Sequence, residues 1–555
     1  MPRIPPELAS SRHHNNEAPL THLSQAANIA EIDELGCGEW TILYGYQHGD
    51  EGSLCYYSGL ISPARVIGAL KQTGWGISIG DGAPGFTQRY IDSEEVTTYD
   101  RFGSSGIEPI LYSRNFHRIK PRQFDLSEEF RLFLNLYHDR HNDRYIYIDE
   151  RGNEILAAEI LPGRTRVLTH LLRRYMAARQ LALVLLFDHR AYADVDLDIA
   201  STAALSKQIS APDRQYSFNV AKPMDRILSR LFGKKIIMPP TIMECRAWPY
   251  DEGKDRKHSD FIVGVTDGGL PLTHNCNPDF LSNYFGANER APHYLTPVWF
   301  TRSVLSKYYN DPNKYSVEDG YLRCGSLWGM QIDNNLPDHV VVYLCDLGRD
   351  LHYEEQIYWS HFNVKPQGRS TSKTNFKRSF LAQFTDPTAP DLVFKQLYTQ
   401  LNEAWASKFK WPIFRPLHEA DSHILKQLRV PISDGLSEFE TQVLFLVKLL
   451  VDSLNDIGIA KAGGGALADE KSIAKLKRYL EVQQYPYVDR DIELLRTLQE
   501  LRSVGAAHTK GRRFDKTSTS VGLDRNSPRD VFRDLLVRAN QMLSDLPPHF
   551  IPPKE

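Results

Sequence analysis

An arginine and a histidine six positions apart are the residues of this chain whose types and spacing first suggest chemistry. Arg502 is followed by the short segment Ser503 to Ala507 and then by His508. A guanidinium stays charged and binds phosphate oxygens, whereas an imidazole takes up or releases a proton near neutral pH. Cleavage of a ribose-phosphate backbone needs both functions. We therefore take Arg502 and His508 as candidate catalytic residues, with Ser503 beside them.

A helix must position this pair. One apolar stripe at helical spacing precedes it, formed by Leu494, Leu495, Leu498 and Leu501. Positions six apart on an ideal helix lie about 120° from each other. One copy of the helix therefore presents Arg502 and His508 to a single point only if the chain bends at Gly505, or a second copy completes the site.

Two clusters of basic residues are candidates for contacts with an RNA backbone. The first follows the histidine and consists of Lys510, Arg512, Arg513 and Lys516. The second contains Lys373, Lys377 and Arg378, with Phe376 and Phe380 between and beside them. Cations neutralise phosphates and aromatic rings stack on bases, although a solvated helix face is the favoured interpretation of the second cluster. Because the formal net charge is -3, attraction to RNA would have to come from such local clusters.

Helical patterns surround the motif helix. They run from Leu436 to Ile457, from Asp469, from Asp489 and from Ser527, and Pro547 with its neighbouring proline is expected to end the last one. This order predicts an antiparallel bundle of four main helices.

The motif and its place at the end of a strong helix resemble the HEPN family (higher eukaryote and prokaryote nucleotide-binding domains), whose signature is Arg-x(4-6)-His. The resemblance covers about the last fifth of the chain. Active members usually carry Asn, Asp or His after the arginine, where this chain has Ser503. The resemblance implies an all-helical bundle and metal-independent RNA cleavage, without a cofactor. It also implies a composite site formed by two motifs, and hence a homodimer or a higher homo-oligomer.

The same resemblance implies roles for the residues. His508 would accept the ribose 2′-hydroxyl proton or protonate the leaving oxygen, and Arg502 would hold the scissile phosphate of a tRNA or mRNA. A bundle of this kind behind a large α/β region is typical of bacterial antiviral abortive-infection proteins, in which a phage-derived or nucleotide trigger would act on the N-terminal region. The alternative is a non-catalytic HEPN-type interaction or nucleotide-binding protein, whose bundle dimerises and whose N-terminal region binds a partner.

The fold class expected for the whole chain of 555 residues is α+β and multidomain, a mixed α/β N-terminal region followed by a C-terminal HEPN-like helical bundle. The expected parts are a polar tail (1–35), a mixed α/β region of one or two domains that acts as a sensor (36–350), a basic helical connecting region (351–430), the bundle (431–547) and a second tail (548–555).

Other chemistry in the sequence is weaker. Asp188, His189 and Arg190 follow a buried apolar strand. A third hypothesis places an active site at these residues or near His258. The favoured interpretation is a strand end that leads to an exposed loop.

Six scattered cysteines without a CxxC pair argue against a zinc ribbon. The polar N-terminus and the short apolar run Leu181–Phe187 predict a soluble cytoplasmic protein with no membrane partner.

Overall fold

Two units make up the computed structural model, residues 1–255 and residues 256–555. The structure describes residues 32–50, 52–72, 84–102, 106–193, 207–221, 227–245, 257–465, 467, 469–505 and 512–551. For residues 193, 505 and 512–514 the description covers the backbone alone.

The first unit is rich in β-structure. Its strands are β1 (Trp40–Gly49), β2 (Gly52–Ile61), β3 (Gly85–Ile91), β4 (Glu94–Asp100), β5 (Leu111–Phe116), β6 (Lys120–Leu126), β7 (Tyr137–Asp139), β8 (Arg144–Ile148), β9 (Glu154–Leu161), β10 (Arg164–Leu168), β11 (Ala182–Ala193), β12 (Lys207–Ala211), β13 (Arg214–Ala221) and β14 (Ile227–Ile237). Its helices are α1 (Val66–Lys71), α2 (Glu128–Phe133) and α3 (Thr169–Arg179). A 10-stranded antiparallel sheet has the order β12-β13-β14-β11-β2-β1-β10-β9-β8-β7, and β3-β4 and β5-β6 are separate hairpins.

Strand β11 lies inside the large sheet, between β2 and β14. Residues 182–188 are all buried, as expected for an apolar run covered on both faces. The prediction that the strand ends at Arg190 is wrong, because β11 continues to Ala193. The segment after it, residues 194–206, lies outside the described residues. The polar residues remain in the strand since they find partners there: the Asp188 carboxylate accepts hydrogen bonds from Arg190 (2.7 Å) and from Arg230 (2.8 Å).

The second unit begins with small sheets and short helices. Its strands are β15 (Asp260–Val265), β16 (Pro271–Asn275), β17 (Pro297–Thr301), β18 (Tyr315–Glu318), β19 (Tyr321–Cys324), β20 (Trp328–Gln331), β21 (His339–Tyr343) and β22 (Asn363–Val364). They form the sheets β15-β16, β21-β17-β22 and β18-β19-β20. The helices here are α4 (Ser306–Asn310), α5 (Leu344–Asp350), α6 (Tyr353–Ser360) and α7 (Lys373–Leu381). Short 3-10 helices, in both units, occupy Pro63–Arg65, Pro278–Phe280, Arg302–Leu305 and Glu419–Asp421.

The rest of the second unit is helical. It contains α8 (Pro390–Phe409), α9 (Ile424–Gln427), α10 (Leu436–Val447), a π-helical turn (Lys448–Asp452), α11 (Asp456–Ala462), α12 (Ser472–Val482), α13 (Val488–Gly505), α14 (Arg512–Val521) and α15 (Pro528–Phe550). The expected succession of a β-rich N-terminal region and a helical C-terminal region is thereby confirmed.

One continuous apolar core holds these helices together. The leucine stripe predicted for α13 is confirmed, since all four leucines are buried. Helix α8 packs along α15, where the Trp405 ring centroid lies 5.0 Å from that of Phe550. The core therefore also contains a helix that precedes residue 431, the boundary expected from the sequence.

Two predicted helix ends differ from the structure. The helix expected from Leu436 to Ile457 gives way to the π-helical turn, and Asn455 then starts α11 by accepting a hydrogen bond from the Gly458 amide (3.1 Å). Pro547 does not end α15, which continues to Phe550 because that ring is buried in the core. Residues 548–550 thus belong to helix α15 and not to a tail.

Candidate active site at the end of helix α13

Arg502 lies in the last turn of α13, and its side chain is 30% exposed. Its Nη1 donates hydrogen bonds to both carboxylate oxygens of Asp452, at 2.8 and 2.6 Å. An arginine in the last turn of a helix can also have a structural role, in which it pairs with a carboxylate nearby in the sequence, such as Glu500 or Asp515. The ion pair of the described Arg502 is instead with a residue fifty positions earlier in the chain.

Asp452 reaches Arg502 from the π-helical turn that follows α10. The amide of Ser453 donates to the carbonyl of Lys448 (3.1 Å), the i to i-5 pattern of a π-helix. Such turns are rare and occur often at functional sites. A second guanidinium meets the same residue, since Arg415 Nη2 donates to the backbone carbonyl of Asp452 (3.0 Å). Asp452 and Arg415 could not be predicted from the sequence, because neither lies at a motif spacing from Arg502.

Ser503 is half-buried beside Arg502. Its hydroxyl donates to the carbonyl of Glu500 at 2.9 Å, within the same helix. A serine bonded back to its own helix offers its lone pairs, but not its proton, to another group. In this structure the Ser503 hydroxyl proton is therefore directed to its own helix.

The remaining residues of the motif fall partly outside the description. His508 and Lys510 lie outside the described residues, and so do the side chains of Arg512 and Arg513 at the start of α14. Lys516 is described and exposed.

The second basic cluster lies on α7, and its members differ in their surroundings. Lys373 and Lys377 are exposed. Arg378 is turned inward, where Nη2 bonds the Asp319 carboxylate (2.6 Å) and Nε bonds the carbonyl of Thr385 (2.9 Å). Its guanidinium is thus engaged within the protein, which the sequence did not indicate.

Two aromatic rings accompany the exposed lysines of α7. Phe376 and Phe380 are 50% and 47% exposed, and their rings stack with centroids 5.6 Å apart. We call Lys373, Phe376, Lys377 and Phe380 the α7 surface. Cations next to exposed aromatic faces are the elements that single-stranded nucleic acids bind.

The structure does not support the hypothesis of an active site around Asp188 and His189, because both side chains are engaged in contacts within the sheet. Asp188 is buried and paired with two arginines, which hold its carboxyl pKa below the usual value despite burial. Burial lowers the pKa of His189 to about 4, and its ring packs edge-on against Tyr56 at 5.2 Å. Both side chains are integrated into the sheet.

The described part of the chain contains no group of three or more His, Cys, Asp or Glu side chains arranged to hold a metal ion. Asp421 lies between His418 and His423 in the sequence, but its carboxylate binds Lys448 (2.7 Å), and this hydrogen bond lowers the pKa of its carboxyl.

The described helices include none with both the length and the apolar character that a bilayer crossing requires. Comparison of the chain with family models, with curated proteins and with solved structures gave no match.

Proposed function

We propose that the C-terminal helical region is a HEPN-type, metal-independent endoribonuclease whose site is built from Arg502 and His508. The observation that supports this most is the position of Arg502: it lies at the end of a buried helix, is partly exposed, and is oriented by Asp452. Among the described residues, Nη1 alone of its nitrogens has a hydrogen-bond partner. Nε and Nη2 can therefore take two oxygens of a phosphate.

In this mechanism the ribose 2′-hydroxyl attacks the adjacent phosphorus and the 5′-oxygen of the next nucleotide leaves. His508 exchanges the proton of the attacking or the leaving oxygen, and Arg502 stabilises the charge that develops on the phosphate. Two copies of the chain contribute one pair each, because the spacing of six places the two side chains on different sides of a regular helix. A homodimer is thus part of the proposal.

The test of catalysis is incubation of the purified protein with labelled tRNA and with total RNA, with and without EDTA. We expect cleavage in both conditions, and its loss in Arg502→Ala and in His508→Ala. Arg496→Ala is the matched control, since Arg496 is exposed on the same helix. Cleavage that disappears with EDTA, or that survives in both variants, contradicts the mechanism.

RNA would be guided to the site by Lys510, Arg512, Arg513 and Lys516, and the α7 surface would bind a single-stranded part of it. Removing both rings in Phe376→Ala/Phe380→Ala should weaken binding of a single-stranded oligonucleotide by about tenfold or more, since stacking contributes about 1–3 kcal/mol per base. Phe285→Ala is the control, because Phe285 is 96% exposed elsewhere in the second unit. Equal affinities of the two variants would remove the α7 surface from the proposal.

The second candidate function is a non-catalytic interaction protein, and the completed Arg502–Asp452 ion pair favours it, because such a pair can also serve to fix the end of a helix. Expression in bacteria separates the two. An active ribonuclease of an antiviral abortive-infection system should be toxic once its trigger is present, and Arg502→Ala should relieve the toxicity. Harmless expression with intact RNA in the presence of a trigger supports the interaction protein.

A further inference from the structure

A cavity of about 390 Å³ opens in the second unit, and its lining residues do not include Arg502 or Ser503. Residues 316–319 line it, together with Leu392 and Lys395 of α8 and Lys426 of α9. Pockets of about 300–1,000 Å³ hold small organic ligands. The cavity thus has the size and the mixture of apolar and charged walls of a small-molecule site.

Lys395 stands out among the lining residues because its side chain is half-buried without a carboxylate partner. Its Nζ donates to the backbone carbonyl of Lys426 (3.0 Å) and lies 5.6 Å from the ring centroid of Tyr309. Within the described residues it forms no ion pair. Asp391, the carboxylate whose charge raises the pKa of Lys395 most, is already bonded to Arg302 at 3.0 Å.

The surroundings of Lys395 disfavour its charged form. Burial lowers the pKa of its ammonium to about 8, and Arg429 and Arg302 lower it too, while Asp391 and Glu318 raise it. At pH 7 an amine with this pKa is roughly one-tenth neutral, against about one part in 2,500 for a solvated lysine. The neutral amine is the form that attacks carbonyl carbons, so this larger neutral fraction makes Lys395 more reactive than a solvated lysine.

Two buried polar atoms near Lys395 also lack partners. Asp391 Oδ1 and the hydroxyl of Tyr309 have no hydrogen-bond partner among the described residues. Unpaired buried polar atoms are uncommon, and sites of ligand binding or catalysis are one of the places where they occur.

We propose that this cavity binds a small aldehyde or ketone and that Lys395 holds it covalently as an imine. The lone pair of Nζ attacks the carbonyl carbon, and a C–N bond forms as the carbonyl π bond breaks. Two protons move from nitrogen to oxygen, and water leaves. The reaction needs no oxidant or reductant, and hydrolysis reverses it.

The test uses the full-length protein with pyridoxal as the aldehyde and sodium cyanoborohydride to fix the imine, at pH 7 and at less than one label per chain. Peptide mapping by mass spectrometry then compares Lys395 with Lys426, which lines the same cavity but is exposed. We expect Lys395 to be labelled at least tenfold faster. The labelling rate at Lys395 should rise with pH and reach half of its maximum near pH 8.

Equal labelling of the two lysines, or a midpoint near pH 10 at Lys395, would overturn the proposal. Lys395→Arg keeps the positive charge but cannot form the imine, so it should lose the fast label, while Lys426→Arg should retain it. The comparison of the two lysines is made in the unsubstituted protein and therefore does not depend on how well either variant folds. RNA cleavage is not involved, so the outcome is independent of the ribonuclease proposal.

Discussion

Two arginine–aspartate pairs in the second unit show how burial separates a structural contact from a usable one. Arg302 and Asp391 are 3.0 Å apart with side chains that are 6% and 0% exposed. Arg502 and Asp452 are 2.6 Å apart with side chains that are 30% and 43% exposed. The chemical groups are the same, and the solvent around them differs.

Solvent sets what each pair contributes. Removing one partner of a buried pair leaves an unpaired charge in a medium of low polarity and costs several kcal/mol, whereas an exposed pair contributes about 0–1 kcal/mol. A phosphate can therefore bind Arg502 beside Asp452, and loss of the Arg502–Asp452 pair would itself cost little stability. The same exchange at Arg302 would disrupt the region where α8 begins.

The largest effect is expected at the buried pair. Asp391→Ala leaves Arg302 without its carboxylate, and we expect the free energy of unfolding to fall by about 3–5 kcal/mol. Denaturation with urea measures it, with Asp386→Ala as a control because Asp386 is exposed. A loss below about 1 kcal/mol would show that burial does not distinguish the two pairs.

In contrast to Asp391→Ala, Arg502→Ala should reduce activity strongly and stability only slightly. We expect RNA cleavage to fall by about 100- to 1,000-fold, the range typical for removal of one group that stabilises transition-state charge. The free energy of unfolding should change by less than about 1 kcal/mol. If stability falls by several kcal/mol and cleavage follows it in parallel, Arg502 is a structural residue.

A half-buried histidine in the first unit extends the comparison to the effect of pH on stability. The pKa of His189 is about 4 in the folded state and about 6.5 in an unfolded chain, so the unfolded state binds more protons between these values. Stability should fall as the pH drops from about 6.5 towards 4, by about 2 kcal/mol at pH 5 from this residue alone. Unfolding at pH 7.5 and 5 measures the loss, and His189→Gln should lack it. Identical pH dependence of both proteins would contradict the burial of a neutral ring.

The smallest effect is expected for Asp452→Asn, which removes the charge of the exposed pair but retains its shape. We expect a change of less than about 1 kcal/mol in the free energy of unfolding, which becomes smaller still in high salt. Thermal unfolding at low and high ionic strength checks this. A loss above about 2 kcal/mol would place Asp452 with the buried partners.

The sequence predicted local features better than distant contacts. The leucine stripe of α13 and the apolar run of β11 follow from periodicity, which depends on neighbouring residues. The partner of Arg502 could not be predicted, because Asp452 lies fifty residues away and reaches it through a π-helical turn that leaves no clear pattern. Likewise Lys395 has an ordinary helical position, and only the folded chain places Arg302 and Arg429 near it.

The number of residues in the π-helical turn also determines from which side of the helix Asp452 projects. An α-helix rotates by about 100° per residue, so one additional residue within a wide turn moves everything after it to another side of the helix. A chain one residue shorter at 448–452 would regain a regular helix with almost the same composition. The carboxylate of Asp452 would then project from a different side of the helix, and Arg502 would lose the group that orients it.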